Sequence, residues 1–147
     1  MDISYPILYI NLDESTKRRE KMELLFKKHN IKNYKRIPAF HGEKRKKELI
    51  KPTNMFFPGK KKRKITNYEL GCMISHLTSL KYFIDNIEED VCLICEDDIN
   101  FKHEKFYFTY FSEYLKDIPD DFDIIQLSLI TDQGLYKDFE NPSIYKK

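Results

Sequence analysis

The feature that most limits the fold is an apolar run, residues 91–95, that ends abruptly in the acids Glu96, Asp97 and Asp98. Five uninterrupted apolar residues, with Val and Ile among them, predict a strand buried on both faces, which is typical of a parallel sheet with helices on either side. Carboxylates cannot follow such a strand into the core, so the three acids are predicted to lie where it emerges. In open α/β sheets, this carboxyl edge is where ligands bind.

The same acids suggest a metal site. If the extended conformation persists beyond the strand, Glu96 and Asp98 share one face and Asp97 points to the other. Two convergent carboxylates suit Mg²⁺ or Mn²⁺, which fill their remaining positions with water and substrate phosphates. The residues alone leave open a polar turn that merely ends the strand. A response-regulator acidic pocket is disfavoured, because Gln126 stands where that class has a phospho-accepting Asp.

Composition narrows the class of protein. A chain of 147 residues, 41% hydrophobic and 14% aromatic, is long enough for one domain with a substantial core. Its 26 Lys and Arg against 24 Asp and Glu give a net charge of +2, which argues against nucleic-acid binding by the whole protein. With no signal-peptide pattern and no apolar run of about 20 residues, we expect a cytoplasmic protein without a membrane span.

The cysteines Cys72, Cys92 and Cys95 are expected to be small core residues. The Cys92-x-x-Cys95 spacing resembles a metal or redox motif, but the chain has no second cysteine pair and structural zinc normally needs four ligands. A zinc or redox role for this pair is therefore disfavoured.

Hydrophobic periodicity predicts an alternation of strands and helices. Residues 7–12 form a strand, followed by a helix whose apolar stripe contains Met22, Leu25 and Phe26. Residues 34–40 form a weaker strand that Pro38 restricts to an edge or terminal position. A capping-box sequence at residues 66–69 opens a long helix. Its apolar residues are expected to pack on the sheet: Leu70, Met73, Ile74, Leu77, Ile84 and Ile87. A further helix at 106–115 and a strand at 123–129 follow.

Two basic regions are candidates for anion binding. Cations cluster in the first turns of the first helix, where the helix dipole disfavours them, so that an anionic partner such as a phosphate would relieve the conflict: Lys17, Arg18, Arg19 and Lys21. Residues 43–65 are predicted to form a basic mobile loop, either solvated or a lid over an acidic ligand. A nucleic-acid patch at residues 60–64 is the least favoured interpretation.

Four blocks, taken in order, resemble glycosyltransferase family 25, which includes lipooligosaccharide galactosyltransferases and collagen-modifying galactosyl- and glucosyltransferases. They are residues 9–12 with the following Arg18-Arg19, residues 38–42, residues 66–76, and residues 95–99. Each block alone is weak, whereas their order and spacing are specific.

The resemblance implies a GT-A type, Rossmann-like α/β fold with a mostly parallel sheet flanked by helices. It also implies a UDP-hexose donor, Mn²⁺ (or Mg²⁺) as cofactor, and inverting transfer of the sugar to a glycan, lipooligosaccharide or collagen-like acceptor. Asp98, with Glu96, would hold the metal. Donor-binding positions carried over from the family are Asn11, Leu12, Arg19, Ala39, Glu69, Ser75, His76, Glu96 and Asp97. The catalytic base is not assigned.

The chain departs from the family pattern in three respects. His41 stands where the family commonly has Asp, and Tyr68 where Gly is usual. Family domains also generally continue beyond the strand at 123–129 into the segment expected to carry the acceptor site and the base. Residues 1–147 are therefore expected to form a single family 25-like domain without the C-terminal acceptor part, with further domains of a larger polypeptide among its partners. The alternative is a non-catalytic nucleotide-sugar-binding or assembly module.

Overall fold

The structure is a computed structural model that describes residues 5–49, 65–99, 121, 123 and 124. The basic run at 60–64, the helix predicted at 106–115 and most of the strand predicted at 123–129 lie outside the described residues. The chain divides into two compact units, residues 1–104 and 105–147, and nearly all described residues belong to the first. The single-domain prediction and the mobile loop at 43–65 therefore stay predictions.

Among the described residues of the first unit, three parallel strands form a sheet. They are β1 (Ile7–Asn11), β2 (Tyr34–Pro38) and β3 (Leu93–Glu96), arranged in the order β2-β1-β3. The register pairs Asn11 with Pro38 and Ile10 with Glu96, so the carboxyl ends of all three strands meet at one edge. The predicted α/β class with a parallel sheet and accompanying helices is confirmed.

Helix α1 (Thr16–Lys28) joins β1 to β2 and packs through the predicted apolar stripe. Met22 and Phe26 are fully buried against Ile7 and Tyr9 of β1. The rings of Tyr9 and Phe26 meet edge to face, with centroids 5.5 Å apart. Because aromatic side chains bury large apolar areas, this contact anchors α1 to the central strand.

Helix α2 (Asn67–Asn86) joins β2 to β3 and begins with the predicted capping box. The Thr66 hydroxyl accepts a hydrogen bond from the Glu69 amide at 3.2 Å, and the Glu69 carboxylate accepts one from the Thr66 amide at 2.8 Å. This reciprocal pair fixes the start of the helix. Among the described residues, no helix is both long and apolar enough to traverse a membrane.

The face of α2 that is buried differs from the prediction. Leu77 is 56% exposed and Ile84 is 76% exposed, so the expectation that they pack on the sheet is wrong. The buried residues of the helix are Leu70 and three small ones, Gly71, Ser75 and Ser79. A Cβ atom on Gly71 would lie 2.7 Å from the Phe40 carbonyl oxygen. A helix that approaches another backbone so closely needs small residues on the facing side, and this requirement outweighs hydrophobic periodicity.

Strand β3 is less buried than the apolar run predicts. In β1 all five residues are buried, whereas in β3 only Cys95 is buried and Glu96 is exposed. Within the described sheet, β1 is central and β3 lies at the edge. The three cysteines also differ in exposure: Cys95 is buried, Cys92 is half-buried and Cys72 is exposed. The expectation that all three are core residues is therefore wrong for Cys72.

Candidate functional site

A buried amide, that of Asn11, organises the carboxyl edge of β1. Its Nδ2 donates hydrogen bonds to Asp97 Oδ2 at 2.6 Å and to the Ser15 carbonyl at 3.2 Å. Its Oδ1 accepts from the Nε atoms of Arg19 at 3.3 Å and of Arg36 at 3.1 Å. Both donor hydrogens and both acceptor positions of the amide are thus used. Asn11 therefore fixes one acid and two arginines relative to the sheet.

Asp97 is buried, with 6% of its surface exposed, and is held from two sides. Its Oδ1 lies 2.6 Å from Arg18 Nη1, and its Oδ2 accepts from Asn11. Removing a carboxylate from water is costly unless both charge and hydrogen bonds are compensated, and Arg18 and Asn11 supply that compensation. The Arg18 side chain nevertheless remains 57% exposed.

The three consecutive acids have different surroundings. Strand β3 ends at Glu96, and Asp97 and Asp98 form a turn, so the extended conformation assumed for side-chain alternation does not persist. Asp98 Oδ2 lies 3.9 Å from Nη2 of Arg18, the same side chain that pairs with Asp97. Glu96 instead contacts α2. The joint binding of a metal by Glu96 and Asp98 stays a prediction.

Glu96 lies against two residues that are one helical turn apart on α2. Cys72 Sγ donates to Glu96 Oε1 at 3.4 Å, and His76 Nε2 lies 3.1 Å from the same oxygen. One ligand atom from each of the three side chains falls within 4.8 Å of the others. Partial desolvation by neighbouring atoms raises the pKa of the otherwise exposed Cys72 thiol, and the neighbouring Glu96 carboxylate raises it further. Among the described residues, Cys72, His76 and Glu96 are the group of metal-ligating side chains close enough together to hold a metal ion.

Ser75 and Ala39 connect α2 to the sheet edge. The Ser75 hydroxyl is buried, accepts from the Phe40 amide at 2.8 Å and donates to the Gly71 carbonyl at 2.7 Å. The Ala39 amide donates to the Asn11 carbonyl at 3.0 Å. These bonds place the first turns of α2 beside Asn11. The donor-binding roles that the resemblance implies for Ser75 and Ala39 stay predictions.

The other expected donor-binding residues take up neighbouring positions. Leu12 is half-buried directly after β1, and its carbonyl accepts from the Ser15 amide at 3.0 Å. Glu69 lies in the first turn of α2, where its carboxylate serves the capping box. Arg19 also donates to the Asp13 carbonyl at 2.9 Å. Roles of these residues in ligand binding stay predictions.

His41, where the family commonly has Asp, takes part in a separate ionic cluster. Its Nε2 lies 3.2 Å from Glu14 Oε1, and its Nδ1 accepts from the Lys44 amide at 3.3 Å. Lys44 also forms an ion pair with Glu14. The hydrogen bond from Lys44 lowers the pKa of the Glu14 carboxyl, and the charge of His41 adds to that effect. This cluster joins the turn after β1 to the segment after β2.

Two residues of the site were missed by sequence reasoning. Arg36 lies within β2. It donates a hydrogen bond to Asn11 and forms an ion pair with Asp13. The sequence feature that could have indicated Arg36 is its position inside a predicted strand, where a charged side chain needs a partner. Cys72 was assigned to the core, and only the approach of β3 to α2 reveals its contact with Glu96.

Comparison with known proteins identifies the family. The family described as "Glycosyltransferase family 25 (LPS biosynthesis protein)" matches residues 4–144. The chain belongs to glycosyltransferase family 25. The match covers most of the chain and confirms the family that the four sequence blocks indicated. No solved structure matches the chain significantly.

Several curated proteins resemble this family 25 chain. The procollagen galactosyltransferase 2 of Homo sapiens is 30% identical over 126 residues, which are 82% of this chain and 19% of the relative. A glycosyltransferase 25 family member of Drosophila melanogaster is 36% identical over 65% of this chain and 16% of its own length. A putative glycosyltransferase of Acanthamoeba polyphaga mimivirus is 34% identical over 65% of this chain and 29% of its own length. The chain thus spans less than a third of the length of these relatives.

Proposed function

We propose that this family 25 chain binds a nucleoside-diphosphate sugar, a UDP-hexose, at the carboxyl edge of its sheet. There it serves inverting transfer of the sugar to a hydroxyl of a glycan, lipooligosaccharide or collagen-like acceptor. The observation that carries the proposal is the convergence of three arginines on Asn11 and Asp97 at this edge. In open α/β sheets this edge is the usual position for a ligand, and family membership supports glycosyl transfer.

The arginines suit a diphosphate. A guanidinium presents its donors in a planar fork that matches phosphate oxygens, and such charge-assisted bonds are stronger than neutral ones. Arg18 is more than half exposed although it pairs with Asp97, so it can reach a ligand in solvent. Arg19 and Arg36 are held by Asn11, which reduces the entropy lost when they bind. We expect Arg18 to contact the diphosphate.

A divalent metal, Mn²⁺ or Mg²⁺, is part of the proposal, with Asp98 and Glu96 as its protein ligands. Carboxylates are the donors that these ions prefer, and the two side chains are 60% and 49% exposed, so the donor chemistry suits such an ion. When bound, the metal would offset negative charge on the departing nucleotide diphosphate. Arg18, 3.9 Å from Asp98, would add positive charge beside it.

Calorimetric titration of the chain with UDP, with and without Mn²⁺, tests this site. We expect Asp98→Asn to abolish the Mn²⁺-dependent part of UDP binding and to leave urea unfolding unchanged, because Asp98 is exposed and contributes little to packing. Asp90→Asn, an exposed acid before β3, is the matched control and should bind like the unaltered chain. Unchanged UDP binding by Asp98→Asn would contradict the assignment.

Turnover separates transfer from binding alone. Free UDP released from UDP-glucose or UDP-galactose by this chain, in the presence of Mn²⁺, would support an enzyme. Tight donor binding without release, with or without candidate acceptors, would instead support a non-catalytic nucleotide-sugar-binding module.

A further inference from the structure

Cys72, His76 and Glu96 have a geometry that goes beyond sugar-nucleotide binding. Cys72 and His76 project from the same side of α2 because they are four residues apart, and β3 ends opposite them at Glu96. All three side chains have accessible surface, with His76 42% and Glu96 49% exposed and Cys72 also exposed. An ion in solvent can therefore reach the ligand atoms without any change of fold.

The distances from Glu96 Oε1 to the ligand atoms of Cys72 and His76 are close to those of a tetrahedral zinc site. Zinc bonds of about 2.1 Å to nitrogen or oxygen and about 2.3 Å to sulfur place neighbouring ligand atoms about 3.4–3.6 Å apart. Here Sγ of Cys72 lies 3.4 Å from Glu96 Oε1, and Nε2 of His76 lies 3.1 Å from it. These two distances are within a few tenths of an ångström of the zinc-bound values, and the ligand atoms of Cys72 and His76 lie within 4.8 Å of each other.

The donor set selects a class of metal. A thiolate and an imidazole favour borderline-soft ions such as Zn²⁺ and Co²⁺, whereas Mg²⁺ and Ca²⁺ prefer sites made only of oxygen donors. We propose that Cys72, His76 and Glu96 form a three-ligand site for a divalent transition metal of the Zn²⁺ class, with a fourth position open to water or another ligand. Three protein ligands and one open position characterise catalytic rather than structural zinc sites.

This site is distinct from the one formed by Asp98 and Glu96, although both use Glu96. Asp98 does not belong to the three-residue group found in the described part of the chain, and it forms an ionic contact with Arg18 of α1. The inference does not depend on sugar transfer, because a metal alone is enough to test it. If Mn²⁺-dependent UDP binding were absent, the proposed site of Cys72, His76 and Glu96 would be unaffected.

Cobalt spectroscopy and zinc calorimetry on the whole chain, without nucleotide, test the proposal under reducing conditions. Co²⁺ should produce a thiolate-to-cobalt charge-transfer band and the visible absorption of a tetrahedral ion, with one ion bound per chain. Cys72→Ser should remove the thiolate band, and His76→Ala should weaken Zn²⁺ binding. We expect each loss of affinity to be at least about tenfold, since even outer partners of metal ligands contribute about 10–100-fold.

Cys92→Ser is the matched control, because Cys92 is half-buried and lies outside the group. It should retain the thiolate band and the Zn²⁺ affinity. Urea unfolding should be similar for Cys72→Ser and the unaltered chain, since Cys72 is exposed. The proposal would be overturned by absence of Zn²⁺ binding, by a Co²⁺ spectrum without sulfur ligation, or by a Zn²⁺ affinity of Cys72→Ser equal to that of the unaltered chain. Each result would mean that the three side chains are only hydrogen-bonded to one another.

Discussion

The side chain of Asn11 shows how much one residue can decide at this site. It is 1% exposed, yet it connects β1 to the turn after β3, to α1 and to β2. No other common side chain offers two donors and an acceptor with two lone pairs in one small planar group, apart from the longer Gln. An aspartate at this position would also place a carboxylate against Asp97, which like-charge repulsion disfavours.

Asn11→Ala should destabilise the chain because it leaves the buried Asp97 carboxylate with one partner fewer. An unsatisfied buried polar group costs about 1–3 kcal/mol, so we expect a loss of that size in the free energy of unfolding, measured by urea denaturation. Asn33→Ala, at an exposed position, is the control and should change stability little. Equal stability of the two variants would show that the Asn11 network contributes little.

Tyr9 provides a prediction about alkaline pH. Burial raises the pKa of Tyr9 to about 12. The Tyr9 hydroxyl donates to Glu23 Oε1 at 3.4 Å, and the charge of Glu23 adds to the shift. The folded state therefore favours the neutral phenol. This contribution to stability is fully present below the ordinary pKa of about 10 and is lost as pH rises through the folded value near 12.

Urea unfolding of the unaltered chain and of Tyr9→Phe between pH 8 and pH 12, values chosen to span that window, measures this effect. The difference in stability between the two proteins should be constant below about pH 10 and should then shift in favour of Tyr9→Phe as pH rises. Tyr68→Phe, at a position that is 66% exposed, serves as the control. A difference independent of pH would argue against a raised pKa for Tyr9.

At the scale of elements, the end of α1 depends on backbone conformation. Asn30 adopts a positive φ of 54°. Its amide donates to the Lys27 carbonyl at 3.1 Å, while the Ile31 amide donates to the Phe26 carbonyl at 2.9 Å. These two bonds form a Schellman motif, which requires a left-handed residue after the helix. The motif turns the chain from α1 towards β2.

Asn30→Val should destabilise the chain by about 1–2 kcal/mol, because a β-branched residue is strained at positive φ. Asn30→Gly removes the same side chain but tolerates this conformation, so it should leave stability unchanged or slightly raised. Urea midpoints of the two variants distinguish conformational strain from a lost side-chain contact. Similar losses in both variants would point to the contact.

The packing of α2 supplies a prediction whose sign depends on two opposing effects. Alanine is favoured over glycine by about 1 kcal/mol in a helix interior. At Gly71, however, a Cβ atom would lie 2.7 Å from the Phe40 carbonyl oxygen and 2.8 Å from the Gly42 amide nitrogen. These neighbours are backbone atoms, which cannot move aside as a flexible side chain can.

We therefore expect Gly71→Ala to lower the free energy of unfolding by about 1 kcal/mol or more, since overpacking costs about 1–3 kcal/mol. Thr78→Ala, at an exposed position of the same helix, gains helix propensity without a clash and should be neutral or stabilising. Stabilisation by Gly71→Ala would mean that α2 can move away from residues 40–42.

At the scale of the whole molecule, ligand binding should appear as added stability. A ligand that binds only the folded state stabilises it by about 2.7 kcal/mol at 100 times its dissociation constant. We expect UDP-glucose or UDP-galactose to raise the melting temperature of the chain, and to do so more strongly with Mn²⁺. Mn²⁺ alone and AMP are the controls, and a panel in which no nucleotide sugar shifts the melting temperature would contradict the proposed function.

The sequence by itself determined the alternation of strands and helices, the acidic carboxyl edge and the family. Apolar runs and the capping box act locally, so their consequences can be predicted from neighbouring residues. The same local signals explain why β1, α1 and the start of α2 were predicted correctly.

Only the tertiary structure decided which side chains meet. Asp97 lies 86 positions from Asn11 in the chain, and Glu96 lies 24 from Cys72, so their contacts depend on strand register and on how closely α2 approaches the sheet. Glu96, the last residue of β3, contacts α2, and the turn at Asp97 and Asp98 leaves Asp98 beside Arg18. Periodicity could not predict this, because the alternation of side chains holds only while the backbone stays extended.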